Sequence, residues 1–85
     1  MTYTINWKNK AVKQLSKIAP AERGKIVSAV GSLRELETAR NVTALTEHEH
    51  GYRLRVGRYR VLFDADRVVR VLEIQEVKKR DGNTY

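Results

Sequence analysis

The chain has 85 residues, which is one small domain, residues 1–85, burying only about 60–65% of its unfolded surface. With 41% hydrophobic and 32% charged residues it is globular rather than disordered, and the absence of cysteine excludes disulfides and thiolate chemistry. Seventeen Lys+Arg against ten Asp+Glu leave a net charge of +7, which points to an anionic partner: nucleic acid, an acidic protein or an anionic surface.

That charge is uneven. Residues 1–25 carry six bases and one acid, residues 26–51 two bases and four acids, and residues 52–85 nine bases and five acids. Both ends are basic and the middle is mildly acidic. No apolar run approaches the roughly 20 residues of a membrane span. The opening residues alternate polar and apolar and lack the apolar core of a signal peptide, which argues against export.

In chain order, residues 2–7 alternate, with Tyr3, Ile5 and Trp7 on one side, and predict a half-buried strand. Ala11, Val12, Leu15, Ile18 and Ala19 follow helical spacing opposite Lys10, Lys13 and Lys17. Pro20 suits the first turn of a second helix, where its missing N–H is harmless. Ile26, Val30, Leu33 and Leu36 give that helix its stripe, ending near residues 37–40. Gly24 and Gly31 each weaken it by roughly 0.5–1 kcal/mol relative to Ala, an expense that close helix–helix approach would offset. The two helices are expected to form an antiparallel hairpin.

Residues 41–51 are polar and predict a loop. Within it, His48 and His50 alternate with Glu47 and Glu49. Such a loop reads first as solvated surface, with acid–base chemistry or a weak metal site as the functional alternatives. Three strands follow: 52–56, 58–63 and 68–77, the last rich in β-formers as a central strand is. Asp64-Ala65-Asp66 is the expected turn. The fold class is therefore α+β, in the order β-α-α-β-β-β, with a helical hairpin on a small, largely antiparallel sheet.

The hairpin carries the functional argument. With Gly57-Arg58 as a type II′ loop, Val56, Leu54 and Tyr52 fall opposite Tyr59, Val61 and Phe63 on one apolar face. On the other face Arg55 then faces Arg60, Arg53 faces Leu62, and Arg58 projects from the turn. Like charges in register destabilise a sheet. Either Glu73 or Glu76 neutralises the pair from the next strand, or the arginines await an external anion such as phosphate, which guanidinium binds bidentately. Beyond the last strand come Lys78, Lys79 and Arg80, then Tyr85. This is a solvated tail, or it docks Arg80 and Tyr85 beside the arginine face. There the tyrosine stacks on a base, typically worth about 1–3 kcal/mol, or its oxygen handles a proton.

The run Tyr52-Arg53-Leu54-Arg55-Val56-Gly57-Arg58-Tyr59-Arg60-Val61-Leu62-Phe63-Asp64 resembles the RelE/ParE toxin superfamily of bacterial type II toxin–antitoxin modules. It is preceded by the helical pair and Leu45 and followed by residues 68–77 and the basic tail. The resemblance covers essentially the whole chain and favours the RelE branch. It implies a cytoplasmic, ribosome-dependent endoribonuclease that cuts mRNA in the ribosomal A site. The alternative is a ParE-type inhibitor of DNA gyrase with no nuclease activity.

Carried over by position, the resemblance implies that Arg55, Arg60, Arg80 and Tyr85 are catalytic. Arg53, Arg58, Lys78, Lys79, Lys10, Lys13 and Lys17 would bind RNA. The implied chemistry needs no metal or other cofactor: the ribose 2′-OH attacks the adjacent phosphorus, leaving a 2′,3′-cyclic phosphate and a 5′-OH. The implied partners are a cognate antitoxin, mRNA and ribosomal RNA, with operator DNA reached only through the antitoxin complex, and no membrane. One departure bears on mechanism. RelE-type members often carry lysines where this chain has Arg53 and Arg55, and arginine effectively keeps its proton. Tyr85, a histidine, a water or ribosomal RNA groups remain open as the base.

Overall fold

The computed structural model describes residues 2–79. In chain order these form β1 (Thr4–Trp7), α1 (Asn9–Ser16), α2 (Pro20–Gly31), a 3-10 segment (Ser32–Thr38), β2 (Val42–Ala44), β3 (Tyr52–Val56), β4 (Tyr59–Asp66) and β5 (Val71–Lys79). The five strands make one mixed sheet in the order β1-β5-β4-β3-β2. Only β1 and β5 run parallel, from Thr4 opposite Val71 to Trp7 opposite Ile74. The fold is α+β with both helices packed on the sheet, as the residue pattern implied.

One face of the sheet meets the helices. Ala11, Ile26, Val30 and Leu33 from the helical layer pack with Leu54, Val61, Phe63, Leu72, Ile74 and Val77 from the sheet. Tyr3, 2% exposed, closes one end of this core. Its N–H donates to the Arg34 carbonyl at 2.9 Å, which ties the chain just before β1 to the 3-10 segment. The Arg70 guanidinium lies 4.0 Å from the centre of the Tyr3 ring. Tyr52 stacks on Phe63 with ring centres 5.3 Å apart. No helix of the described residues is long and apolar enough to cross a membrane.

The β3–β4 register is the one the alternation required: Tyr52–Phe63, Arg53–Leu62, Leu54–Val61, Arg55–Arg60 and Val56–Tyr59. Gly57 sits at φ +54°, while Arg58 is not left-handed, the φ pattern of a type II′ turn. Val61 and Phe63 are fully buried, whereas Arg55 and Arg58 are exposed.

Four expectations need correction. The polar stretch 41–51 contains β2, which pairs Val42 with Leu54 and Ala44 with Tyr52. Three residues after a left-handed Asn41 (φ +62°) carry too little alternation to register as a strand. The turn expected at Asp64–Asp66 lies later, because both aspartates belong to β4. Asp66 Oδ1 instead accepts the N–H groups of Val68 and Val69, at 2.9 and 3.2 Å, and Arg70 turns at φ +58°. Val68 and Val69 therefore lie in that turn, 90% and 62% exposed, and β5 begins at Val71.

Third, the second helical stripe changes conformation after Gly31. Leu33 and Leu36 sit in the 3-10 segment, which is broken at Glu35 (φ −105°, ψ 63°). Fourth, a Cβ at Gly24 or Gly31 would meet nothing within 4 Å. No close helix–helix approach accounts for these glycines.

Phe63 is 0% exposed. Phe63→Ala is expected to destabilise the fold by about 3–5 kcal/mol, a large share of the stability of a domain this size. Urea unfolding followed by circular dichroism measures it.

Candidate functional site

The outward face of the sheet carries the charge. The β3–β4 register places Arg55 opposite Arg60, and the β4–β5 register places Arg60 opposite Lys78. Three bases thus form one row across three adjacent strands. Strands lie about 4.8 Å apart, so neighbouring members of the row can converge on one phosphate. No acid stands in register with any of the three. Arg55 and Lys78 are exposed and Arg60 is half-buried. Arg58 extends the positive surface at the turn.

The next row runs Arg53–Leu62–Glu76, and beyond it Asp64 faces Glu73. The face is therefore graded, basic at the hairpin end and acidic at the other. Neither glutamate stands across from the arginine pair. Glu73 Oε2 lies 3.7 Å from Lys8 Nζ. Glu76 Oε1 lies 3.1 Å from Lys10 Nζ and 3.4 Å from Lys78 Nζ. Burial alone would raise the Glu76 carboxyl, but the hydrogen bond from Lys10 and the charges of Lys78 and Lys10 outweigh it. Glu76 is held below the usual carboxylate range.

His50 belongs to this network, contrary to the expectation of a solvated loop. It is 8% exposed. Its Nδ1 lies 3.2 Å from Asp64 Oδ2 and its Nε2 lies 3.3 Å from Glu76 Oε2. The Gly51 N–H donates to Asp64 Oδ1 at 2.7 Å, and the His50 N–H to His48 Nδ1 at 2.9 Å. Only His48 keeps the solvent exposure expected of both histidines. Among the described residues no cluster of three or more His, Asp or Glu side chains is arranged to hold a metal ion.

The remaining candidates scatter. Lys10 and Lys13 lie on α1, and Lys17 caps its C-terminal end. Lys10 is engaged with Glu76, while Lys13 and Lys17 are exposed. Lys79 stands opposite Tyr59 and so faces away from Lys78. Arg80 and Tyr85 lie outside the described residues. Two other bases of the C-terminal third serve the fold: Arg67 Nη2 donates to Tyr52 Oη at 3.3 Å, and Arg70 pairs with Glu37 at 3.2 Å.

No family model matches the chain, and neither does any curated protein. Solved structures do. A chain of the RelBE2 toxin–antitoxin complex of Mycobacterium tuberculosis shares 26% identity over 94% of this chain and 100% of that one, with a TM-score of 0.79. A chain of the archaeal RelE–RelB complex of Pyrococcus horikoshii shares 25% identity over 96% and 99%, with a TM-score of 0.81. The chain is similar to RelE toxins in fold and length. A double mutant of Escherichia coli RelE in the free state shows the same fold at 16% identity, with a TM-score of 0.76 over 99% of this chain and 88% of that one. The RelE-like sheet is thus kept across sequences that share few residues, and the basic row here is set by the β3–β4 and β4–β5 registers.

Glu76 gives a pH test of this network. A carboxyl held low in the folded state stabilises fully above its ordinary value of 4.5 and loses that contribution as pH falls through the lowered folded value. Glu76→Gln removes this dependence. Below pH 4.5 the urea midpoint of the wild type is expected to fall more steeply than that of the variant.

Proposed function

We propose that the chain is the toxin of a type II toxin–antitoxin pair and that it cuts mRNA in the ribosomal A site, halting translation. The observation that carries this reading is the Arg55–Arg60–Lys78 row, three bases in register with no acid across from them. A fold optimised for stability alone would alternate charges there. Phosphate would supply a negative charge in register with the row.

In this reading the ribose 2′-OH attacks the adjacent phosphorus and the 5′ oxygen leaves. Negative charge grows on the phosphoryl oxygens, and Arg55 and Arg60 hold it from fixed positions on the sheet. Arg80 contacts the scissile phosphate and Tyr85 orients or stacks on the nucleotide, roles taken from the family resemblance. Arg53, Arg58, Lys13, Lys17, Lys78 and Lys79 contact RNA phosphates, with Lys10 shared between Glu76 and RNA. His50 is not offered as the base, since its ring is enclosed and both nitrogens face carboxylates.

The partner follows the same electrostatics. The similar Mycobacterium tuberculosis chain comes from a toxin–antitoxin complex, and the Pyrococcus horikoshii chain from a RelE–RelB complex. A net charge of +7 suits an acidic antitoxin segment wrapped on this surface. Operator DNA would be contacted through that antitoxin.

Purified protein is tested on mRNA with and without programmed ribosomes. Cuts are expected only with ribosomes and with 5′-OH ends, and Arg60→Ala is expected to slow them by about 10²–10³-fold. Absence of cuts in both conditions overturns the nuclease reading and moves the test to gyrase supercoiling. Replacing Lys13 and Lys17 by Ala is expected to flatten the salt dependence of ribosome binding by about 0.7 per lost phosphate contact.

A further inference from the structure

His50 lies off the basic row yet connects to it through an unbroken chain of contacts. Asp64 sits opposite another acid, Glu73, on β5. It directs one oxygen to the Gly51 N–H at 2.7 Å and the other to His50 Nδ1 at 3.2 Å, which fixes both the backbone and the ring of this segment. The far side of the ring places Nε2 3.3 Å from Glu76 Oε2. Glu76, 6% exposed, presents its remaining oxygen to Lys10 and Lys78. The last of these ammonium groups belongs to the row.

The physics makes each link matter. The terminal torsion of a glutamate is broad and roughly two-fold, so a carboxylate held only by lysines can turn. Lysine stems carry about 2 kcal/mol of rotamer entropy, and an exposed ion pair alone holds such a chain weakly. With the Nε2–H donating to Oε2, the direction of Oε1 is set by a buried ring rather than by mobile side chains. Glu49 Oε1 also faces Nε2, at 3.7 Å, but its side chain is 81% exposed and does not fix the ring. Lys10 meanwhile offsets the Glu76 charge, so Lys78 is held in place without being neutralised.

We infer that His50 is a positioning residue for the phosphate-binding row: it immobilises Glu76 so that Glu76 Oε1 holds the Lys78 ammonium beside Arg60. The inference rests on the proposed phosphate chemistry of the row. It assigns His50 no contact with RNA and no proton transfer.

Two measurements on the folded full chain test it, using His50→Gln and His50→Leu, with urea unfolding confirming that each variant folds. The first is lysine side-chain NMR on the protein alone, with the Lys78 signal assigned by Lys78→Arg. The Lys78 ammonium is expected to be ordered in the wild type and to become mobile in both His50 variants. An unchanged Lys78 signal in a folded variant overturns the inference. The second is a double-mutant cycle on ribosome-dependent cleavage with His50→Gln and Lys78→Ala. If His50 acts through Lys78, the combined loss in kcat is expected to fall short of the product of the single losses by about threefold or more. His50→Gln combined with Arg58→Ala is expected to multiply. A plain product in the His50–Lys78 cycle, the result of a merely structural role, overturns the inference. Should the wild type cut no mRNA, the nuclease reading fails by itself, and the NMR comparison alone decides the role of His50.

Discussion

Everything on the outward face depends on the register of one five-residue pairing. Tyr52–Phe63 through Val56–Tyr59 place Tyr52, Leu54, Val56, Tyr59, Val61 and Phe63 toward the helices and leave Leu62 on the other face beside Arg53. Side chains alternate with period two, so a slip of one residue would drive the arginines into the core and Phe63 into water. The same alternation that builds the core therefore delivers Arg53, Arg55 and Arg60 to a common surface. Core packing enforces the register strongly enough that a like-charged pair can stand opposite itself.

A second dependency runs through β5. Helix α1 has no side-chain N-cap and no acid in its first turn, and it opens with Lys8 and Lys10 where the helix dipole disfavours cations. The missing acids come from the sheet, as Glu73 to Lys8 and Glu76 to Lys10. β1 covers only the first half of β5. In the second half the Val77 N–H donates to the Gln14 side chain at 2.7 Å, so α1 takes the place of a neighbouring strand. One carboxylate, Glu76, thereby joins helix, sheet and the loop before β3. That loop is closed by the Leu45 N–H on the Gly51 carbonyl at 2.8 Å.

Where local pattern and tertiary packing agreed, the amino-acid order was legible. Strict alternation in residues 52–63 and a glycine suited to φ > 0 determined the hairpin, its faces and the arginine pair. Lys78 could be named as a candidate, but its place in the row depends on β4–β5 pairing, which no local pattern reports. β2 was hidden by its brevity. The late turn was hidden because Val68 and Val69 have strand propensity yet are exposed, overruled by Asp66 capping their N–H groups. His50 looked solvated because Glu47, His48 and Glu49 surround it in sequence. Its burial comes from Asp64 and Glu76, 14 and 26 residues away in the chain.

β5 also contains a change of phase. Leu62 pairs with Glu76 but Phe63 with Ile74, so Gln75 is looped out of the ladder as a bulge. The core positions of β5 are accordingly Leu72, Ile74 and then Val77, spaced by two and then by three. That extra residue lets one strand serve two clients: its first half seats the core beside β1, and its second half aims Glu76 and Lys78 at the charged surface. The bulge works as an escapement between two gears, advancing the alternation by a single tooth. Drawing Gln75 back into a regular ladder would rotate Val77 outward and bring Lys78 in beneath the helices.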